Sequence, residues 1–468
     1  MTRDNDNIIA PATPQGSGAI AVVRLSGPDV IEITDRFFRP AGGPSLQDTP
    51  GHRLRYGELH GPEGLLDEVL VAVFRAPHSY TGENAVEISL HGSPYIQQQV
   101  LALFLDNGVR LAKPGEFTMR AFLNGKMDLT SAEAVADLIE AQTALQHRVA
   151  LNQLRGGFAR ELRQLRQKLV EFIALLELEL DFAEEDVEFA DRDQLKQLLN
   201  EIKDHIRRLM QSFEQGNVIK HGVSIAIAGP PNTGKSTLLN ALLNEEKAIV
   251  THIPGTTRDT IEDEITLQGI KFRFIDTAGL RHTDDHVEKI GIERSFRKIH
   301  EARAVLWLAD ATRWDEQKDE LRERIRSFRD KNPGQYVLLV INKIDALTPQ
   351  RAETIRPEAG SLFDLPVLLI SAKERQGLDR LEEKLVEPFR SGLMEGDQTI
   401  ITNIRHYHAL KKALESLLEA EEALRQGIPT DLVAVDLRDV MHHLGEITGE
   451  ITTGDILEHI FNNFCIGK

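Results

Sequence analysis

The sequence predicts three architectures in one chain: an α+β domain at 1–120, an all-helical domain split into 121–216 and 389–468, and an α/β domain at 217–388 inserted between the helical parts. Three observations carry this. Short β-rich runs punctuated by glycine and proline fill the first segment. After Ser131 breakers become rare, and Leu162, Leu165, Leu169, Phe172 and Leu176 fall three and four apart, on one face of a helix. From 217 onward apolar strands alternate with helical patterns, as in a doubly wound sheet of parallel strands.

The composition sets bounds. A chain of 468 residues with 41% hydrophobic and 27% charged residues reads as a soluble globular protein. The opening MTRDNDNIIAPATPQG has no basic start and no apolar stretch, so no secretory signal is expected. Apolar runs such as 337–341 fall far short of the roughly 20 residues that cross a bilayer, so no membrane partner is expected. A single cysteine excludes an internal disulfide framework and points to a reducing, cytoplasmic setting. With 55 basic against 73 acidic residues, a net −18, a generally basic surface for coating DNA or RNA is not expected. A structured RNA would have to meet a local patch. The clearest is Arg155, Arg160, Arg163, Arg166 and Lys168, whose other reading is the solvated face of a helix.

Each segment has its own elements. In the first, 19–25 (AIAVVRL), 69–75 (VLVAVFR) and 86–90 (VEISL) read as strands and 95–105 as a helix. In the second, Ser131-Ala-Glu-Ala134 opens a long helical region, and a further helical span runs to about Gly216. In the third, 223–228 (VSIAIA) is an apolar strand met at once by glycine, and 272–275, 304–309, 337–341 and 367–370 continue the alternation. Past Gly396, helices return at 408–425 and 432–443. Insertion of one domain into another is tolerated when the inserted ends lie close together.

Five short motifs occur in order within the α/β segment. GPPNTGKS at 229–236 follows the first strand. Its glycines let successive amides point at a β-phosphate, and the following helix adds its positive end. Lys235 can reach the β/γ oxygens and Ser236 can ligate Mg²⁺. The candidate contacts are Asn232, Thr233, Gly234, Lys235, Ser236 and Thr237. In GTTRD at 255–259, Thr256 and Thr257 sit where a loop can sense the γ-phosphate and close the Mg²⁺ shell. Asp276, Thr277, Ala278 and Gly279 form the third motif, with a carboxylate for Mg²⁺ and a glycine amide for the γ-phosphate. Asn342-Lys343-Ile344-Asp345 selects the base: the Asp345 carboxylate matches the paired N–H donors of guanine, and adenine offers none. Ser371, Ala372 and Lys373 complete the set, the Ala372 amide being within reach of a guanine carbonyl. Strand C-termini are where open α/β sheets bind ligands. The segment therefore reads as a Ras-like P-loop G domain that binds GTP and hydrolyses it.

Leu280 stands where Ras-like proteins carry a glutamine that orients the attacking water, and no arginine finger in cis is obvious. Three residues are open as replacements. Asn232 offers a neutral oxygen that can hold a monovalent cation against the phosphates, or is a plain turn residue. Glu288, in an acidic stretch, can polarise a water, or belongs to a solvated loop. Arg258 is the third, or a surface arginine. Cys465 is either a site thiol or an inert tail residue, and His406, His408, His442 and His443 lack the ligand spacing of a metal site. The turns TPQGSGAI at 13–20 and SYTGE at 79–83 are by themselves too generic to name a ligand.

Taken together, TPQGSGAI, SYTGE, PGEFTMRAFLNGKMDL at 114–129, the G motifs with Leu280 and the terminal FCIGK resemble the MnmE (TrmE) tRNA-modification GTPases over essentially the whole chain. The resemblance implies an N-terminal folate-binding and dimerisation domain, a helical domain, and an inserted G domain activated by K⁺ and by pairing of G domains in a homodimer. It implies a flavoprotein partner, MnmG, in a heterotetramer. The reaction implied is addition of an aminomethyl or carboxymethylaminomethyl group at C5 of the wobble uridine of certain tRNAs. The carbon would come from a tetrahydrofolate derivative, a 5-formyl or methylene form. By motif, Asn232, Thr251, Ile253 and Thr256 would hold K⁺, the middle two through backbone that tolerates the neighbouring His252 and Pro254. Thr251 would also border the nucleotide, Ser236 and Thr257 would hold Mg²⁺, and Glu288 would be the catalytic acid/base group. Arg24, Glu87, Lys126 and Lys468 would contact folate, and Cys465 would serve the modification chemistry or its site.

Two other functions fit parts of the sequence. A ribosome-assembly GTPase switch also lacks the glutamine, but such proteins usually add a basic RNA-binding module after the G domain, where this chain is helical. A folate-binding transferase with purely structural GTP would keep its activity in Lys235→Ala.

Overall fold

In the computed structural model the described residues are 6–181, 192–243, 263–275, 300, 302–390, 399–462, 464 and 467. They divide into two compact units: Met1–Glu140 with Ala150–Arg207 and Arg405–Lys468, and Ala141–Val149 with Arg208–Ile404.

The first unit holds a seven-stranded sheet. Its strands are β1 (Asn7–Pro11), β2 (Ile20–Ser26), β3 (Phe38–Pro40), β4 (Arg53–Gly61), β5 (Gly64–Phe74), β6 (Ala85–His91) and β7 (Val109–Leu111), in spatial order β3-β4-β5-β6-β2-β1-β7. Every pairing is antiparallel except β1 with β7. Alternate residues point to opposite faces of a strand. Val69, Val71 and Val73 of β5 therefore join Val86, Ile88 and Leu90 of β6 in one core with Val100 and Phe104 of helix Pro94–Leu105.

The same unit contains helices Glu116–Leu123, Leu129–Glu140, Gly157–Asp181, Ile404–Arg425, Thr430–Thr448 and Gly454–Phe461. The expected stripe is realised: Leu162, Leu165, Leu169, Phe172 and Leu176 are all buried. Helix Gly157–Asp181 packs along helix Thr430–Thr448, which buries Val433, Leu437, Val440, Leu444 and Ile447. Each such fully buried side chain contributes about 1.5–3 kcal/mol. The helical span placed to about Gly216 is one helix, Arg192–His221, reaching five residues further, and Gly222 with φ of +78° ends it.

The second unit is a six-stranded sheet: β8 (Val223–Ala228), β9 (Asp263–Leu267), β10 (Ile270–Phe274), β11 (Ala304–Asp310), β12 (Tyr336–Asn342) and β13 (Val367–Leu369), in order β13-β12-β11-β8-β10-β9. β11 is buried along its whole length, as a central parallel strand covered on both faces must be. Leu306 and Leu308 of β11 face one core with helices Lys235–Leu243 and Leu378–Arg390. Val305, Trp307 and Ala309 face the other, with helices Trp314–Lys331 and Pro349–Leu362. The doubly wound pattern is confirmed with one departure from an all-parallel sheet: β9 is an antiparallel edge strand on β10. The Gln268-Gly269 turn that joins them has φ of +48° and +85°, the left-handed pair of a tight hairpin.

Candidate functional site

The chain leaves β8 for one side of the sheet and returns through β11 on the other, so the switch point lies between these two strands. The phosphate loop sits there. Gly229 has φ +147°, and a Cβ on it would meet the Leu308 carbonyl at 2.4 Å. Gly234 has φ +94°, and its Cβ would fall 2.4 Å from Asn342 Nδ2. Both glycines are required by close backbone approach. Between them Asn232 adopts φ +62°, which asparagine tolerates better than most residues. Thr233 is buried and its hydroxyl donates to the Pro230 carbonyl at 2.9 Å. Lys235, at the start of the following helix, donates through Nζ to the carbonyls of Gly229 (3.0 Å) and Pro230 (2.9 Å). Burial pushes its pKa down. Ser236 is half-buried and Thr237 exposed. Neither the Ser236 hydroxyl nor the Asn232 carboxamide has a side-chain hydrogen bond among the described residues, which leaves both oxygens able to face a cation.

The base loop follows β12. Asn342 is 2% exposed and clamps three segments. Its Nδ2 donates to the Thr233 carbonyl at 2.9 Å and its Oδ1 accepts from the Ala372 amide at 2.9 Å. The amide assigned to a guanine carbonyl is thus engaged with Asn342 in this structure. Ser371 is fully buried, and its hydroxyl donates to Asp345 Oδ1 at 2.6 Å. The second Asp345 oxygen has no partner among the described residues, and the residue is exposed, as a base-reading carboxylate should be. Lys373 is exposed beside Glu374. Lys343, at φ +70°, donates to the Asn232 carbonyl and to Asp310 Oδ2, both at 2.6 Å. Asp310 was not singled out in the sequence. The available signal was an acid ending a strand beside the base-loop strand.

In the first unit Arg24 of β2 and Glu87 of β6 lie opposite each other in register and form an ion pair at 2.7 Å. The guanidinium lies 5.6 Å from the Tyr80 ring centroid and 5.8 Å from that of Phe117. Its NH1 donates to the Gly467 carbonyl at 3.3 Å, so the tail reaches this strand pair. Burial pushes the Tyr80 phenol up, although Thr118 and Arg24 oppose it. Lys126 donates to the Pro77 carbonyl at 3.0 Å. Tyr80 and Phe117 were not named as site residues, yet both lie within motifs that stood out, SYTGE and PGEFTMRAF.

Two family models match the chain. The model described as the MnmE helical domain matches residues 129–465, and that of the GTP-binding protein TrmE N-terminus matches residues 7–126. The chain belongs to the MnmE family. It is 50% identical over 471 residues to the tRNA modification GTPase MnmE of Christiangramia forsetii, with 99% of each chain covered. It is 49% identical over 472 residues to the protein of the same name from Bacteroides fragilis, covering 99% of this chain and 100% of the relative. The G domain of the T. maritima FeoB iron transporter is 27% identical, covers 35% of this chain and 97% of its own, and has a TM-score of 0.26. As a member of the MnmE family the chain is a GTPase of a tRNA-modifying group, with a TrmE-type N-terminal part, a helical part and a P-loop G domain.

Several residues assigned from sequence lie outside the described ones: Thr251, Ile253, Thr256, Thr257, Arg258, Asp276, Thr277, Ala278, Gly279, Leu280, Glu288, Cys465 and Lys468. In the basic patch, Arg166 is paired with Glu450, Lys168 with Glu201 at 3.2 Å, and Arg163 faces Asp128 at 3.6 Å. His442, His443 and Glu446 bring ligand atoms within 4.8 Å of one another through helical i, i+3 and i+4 spacing. Among the described residues no helix is long and apolar enough to cross a membrane.

Proposed function

We propose that this chain hydrolyses GTP to drive addition of an aminomethyl or carboxymethylaminomethyl group at C5 of the wobble uridine of certain tRNAs. A tetrahydrofolate derivative supplies the carbon, and the flavoprotein MnmG is the partner of the homodimer in the cytoplasm. The observation that carries this reading is the end-to-end match to tRNA modification GTPases in a chain whose Asn342 ties a phosphate loop to a base loop. The site chemistry is consistent with it. An arginine–carboxylate pair beside two aromatic rings suits a flat heterocycle with donor and acceptor edges, as a pterin has.

Ser236 and Thr257 hold Mg²⁺, which neutralises charge on the phosphates when bound. Asn232, Thr251, Ile253 and Thr256 hold K⁺ in the place of a finger's charge, and Glu288 orients the attacking water. Arg24, Glu87, Lys126 and Lys468 hold the folate, and Cys465 serves the modification chemistry.

Deleting the gene should remove the modified wobble nucleoside from digested tRNA, read by mass spectrometry; an unchanged nucleoside profile would exclude the reading. The cation role makes a second demand. GTP turnover in KCl should exceed that in NaCl at equal ionic strength by about tenfold, a fraction of the roughly 10³–10⁵ an arginine finger supplies. Equal rates in the two salts would remove K⁺ from the mechanism.

A further inference from the structure

We propose that Asp310 is a positioning residue of the nucleotide site: its carboxylate anchors the Lys343 ammonium on the Asn232 carbonyl, so that the base loop and the phosphate loop are set as one unit. This deepens the nucleotide reading above and rests on it.

The placement begins with the sheet. Asp310 ends β11 directly opposite Asn342, the last residue of β12, so the register puts its carboxylate beside the first residues of the base loop. Its Oδ2 accepts from Lys343 Nζ at 2.6 Å. Its Oδ1 is occupied on the other side by the Thr312 amide at 2.9 Å and the Thr312 hydroxyl at 2.6 Å. Its backbone carbonyl accepts from Gln317 Nε2 at 2.6 Å. A carboxylate held from these directions, with its side chain 10% exposed, cannot follow a wandering lysine; the lysine must come to it. Burial alone would push the Asp310 pKa up, but Lys343 and Thr312 outweigh it and keep the group ionised.

The second anchor of the ammonium is the Asn232 carbonyl, at 2.6 Å. Asn232 and Lys343 both have positive φ, a conformation disfavoured for L-residues, so each needs a tertiary contact to hold it. One ammonium meets both needs. A lysine stem laid over a base is a flexible chain with a strongly hydrated head. Fixing that head at its far end aligns the stem before nucleotide arrives, and fixing the Asn232 carbonyl orients the peptide that carries the Asn232 side chain. Without Asp310 the ammonium keeps one anchor and gains the freedom to turn to water. Asp310 also caps the short 3-10 turn Ala311–Arg313 through Thr312, and the test must separate that structural contribution from the lysine anchor.

The experiment uses the full-length chain and a fluorescent GDP analogue. Asp310→Asn and Lys343→Met are each expected to weaken GDP binding about tenfold, the share of one charge-assisted hydrogen bond. The double variant should bind no more weakly than the weaker single one, because both substitutions remove the same contact. Asp310→Glu should recover part of the affinity, because it returns a carboxylate to the Lys343 ammonium. Thr312→Ala removes only the hydroxyl bond to Asp310 Oδ1, the amide cap staying in place, and should lower the melting temperature while leaving GDP affinity in place. Independent, multiplying losses in the double variant, or an affinity loss in Thr312→Ala equal to that in Asp310→Asn, would overturn the proposal. Failure of the unsubstituted chain to bind GDP would instead overturn the nucleotide reading beneath it.

Discussion

Replacing Lys235 with alanine is expected to lower GTP turnover by about 10²–10³, the usual cost of deleting one donor aimed at charge that develops in the transition state. In this structure Lys235 Nζ rests on two phosphate-loop carbonyls, those of Gly229 and Pro230. A half-desolvated ammonium held by neutral acceptors is poorly compensated, as its lowered pKa shows. Phosphate oxygens compensate it better, so nucleotide binding draws it to them. The substitution therefore removes charge where the reaction needs it without emptying a structural ion pair. Single-turnover phosphate release measures the effect, with GDP affinity as the control for folding. Turnover within about threefold of the unsubstituted chain would mean that Lys235 is not the transition-state donor.

The second large effect lies far from the nucleotide in sequence. Glu133 on helix Leu129–Glu140 receives Arg405 Nε at 3.0 Å and NH2 at 2.9 Å, and lies 2.7 Å from His406 Nε2. The Arg405 guanidinium also donates to the carbonyls of Glu446 and Ile447 on helix Thr430–Thr448. Three helices are thus joined by one buried polar cluster. Burial pushes the Glu133 carboxyl up, but His406 and Arg405 outweigh it and hold it well below the usual range. Burial lowers the His406 pKa, opposed by Glu133 and Asp137 and aided by Arg405. At neutral pH the lasting charge opposite Glu133 is therefore the guanidinium, and the ring contributes a hydrogen bond.

Glu133→Ala should destabilise this helical assembly by about 3–5 kcal/mol, because it leaves a guanidinium and a ring without their acceptor in a buried place. The urea midpoint of the far-UV signal reads it, and a loss under about 1 kcal/mol would show that the cluster relaxes freely.

The pH dependence has a definite sign. A depressed Glu133 pKa stabilises the folded state above the unfolded value of 4.5 and that stability is lost as pH falls towards the folded value. A depressed His406 pKa acts the same way: the unfolded ring takes up its proton first, so stability starts to fall below its ordinary 6.5. The cluster should weaken steadily on acidification from neutrality, and Glu133→Gln should flatten the part of that loss below 4.5.

What could be read from sequence follows the range of the interactions. The phosphate loop was legible because its requirements are local: glycines for close approach, a lysine and a serine on the next turn. The stripe Leu162 to Leu176 was legible because helical periodicity repeats within a few residues. β9 was passed over because its turn, Gln268-Gly269, places a glutamine in the left-handed region where asparagine or aspartate is the usual signal. The helix after residue 192 was cut short at Gly216 because an internal glycine looks like a stop. In the structure a Cβ there would meet the Ile401 carbonyl at 1.8 Å, so that glycine serves packing rather than termination.

The sequence by itself determined the three-part order of the chain, the phosphate-loop and base-loop motifs with their positions after β8 and β12, and the family to which they belong. These rest on short-range patterns of residue type. Only the tertiary structure decided which distant residues share a site. Asp310 meets Lys343 across 33 positions, Glu133 meets His406 across 273, and Arg24 meets Gly467 across 443. No local propensity encodes such pairs. They arise when sheet register and helix packing bring charges into a low-dielectric interior, where an ion left without its partner is costly.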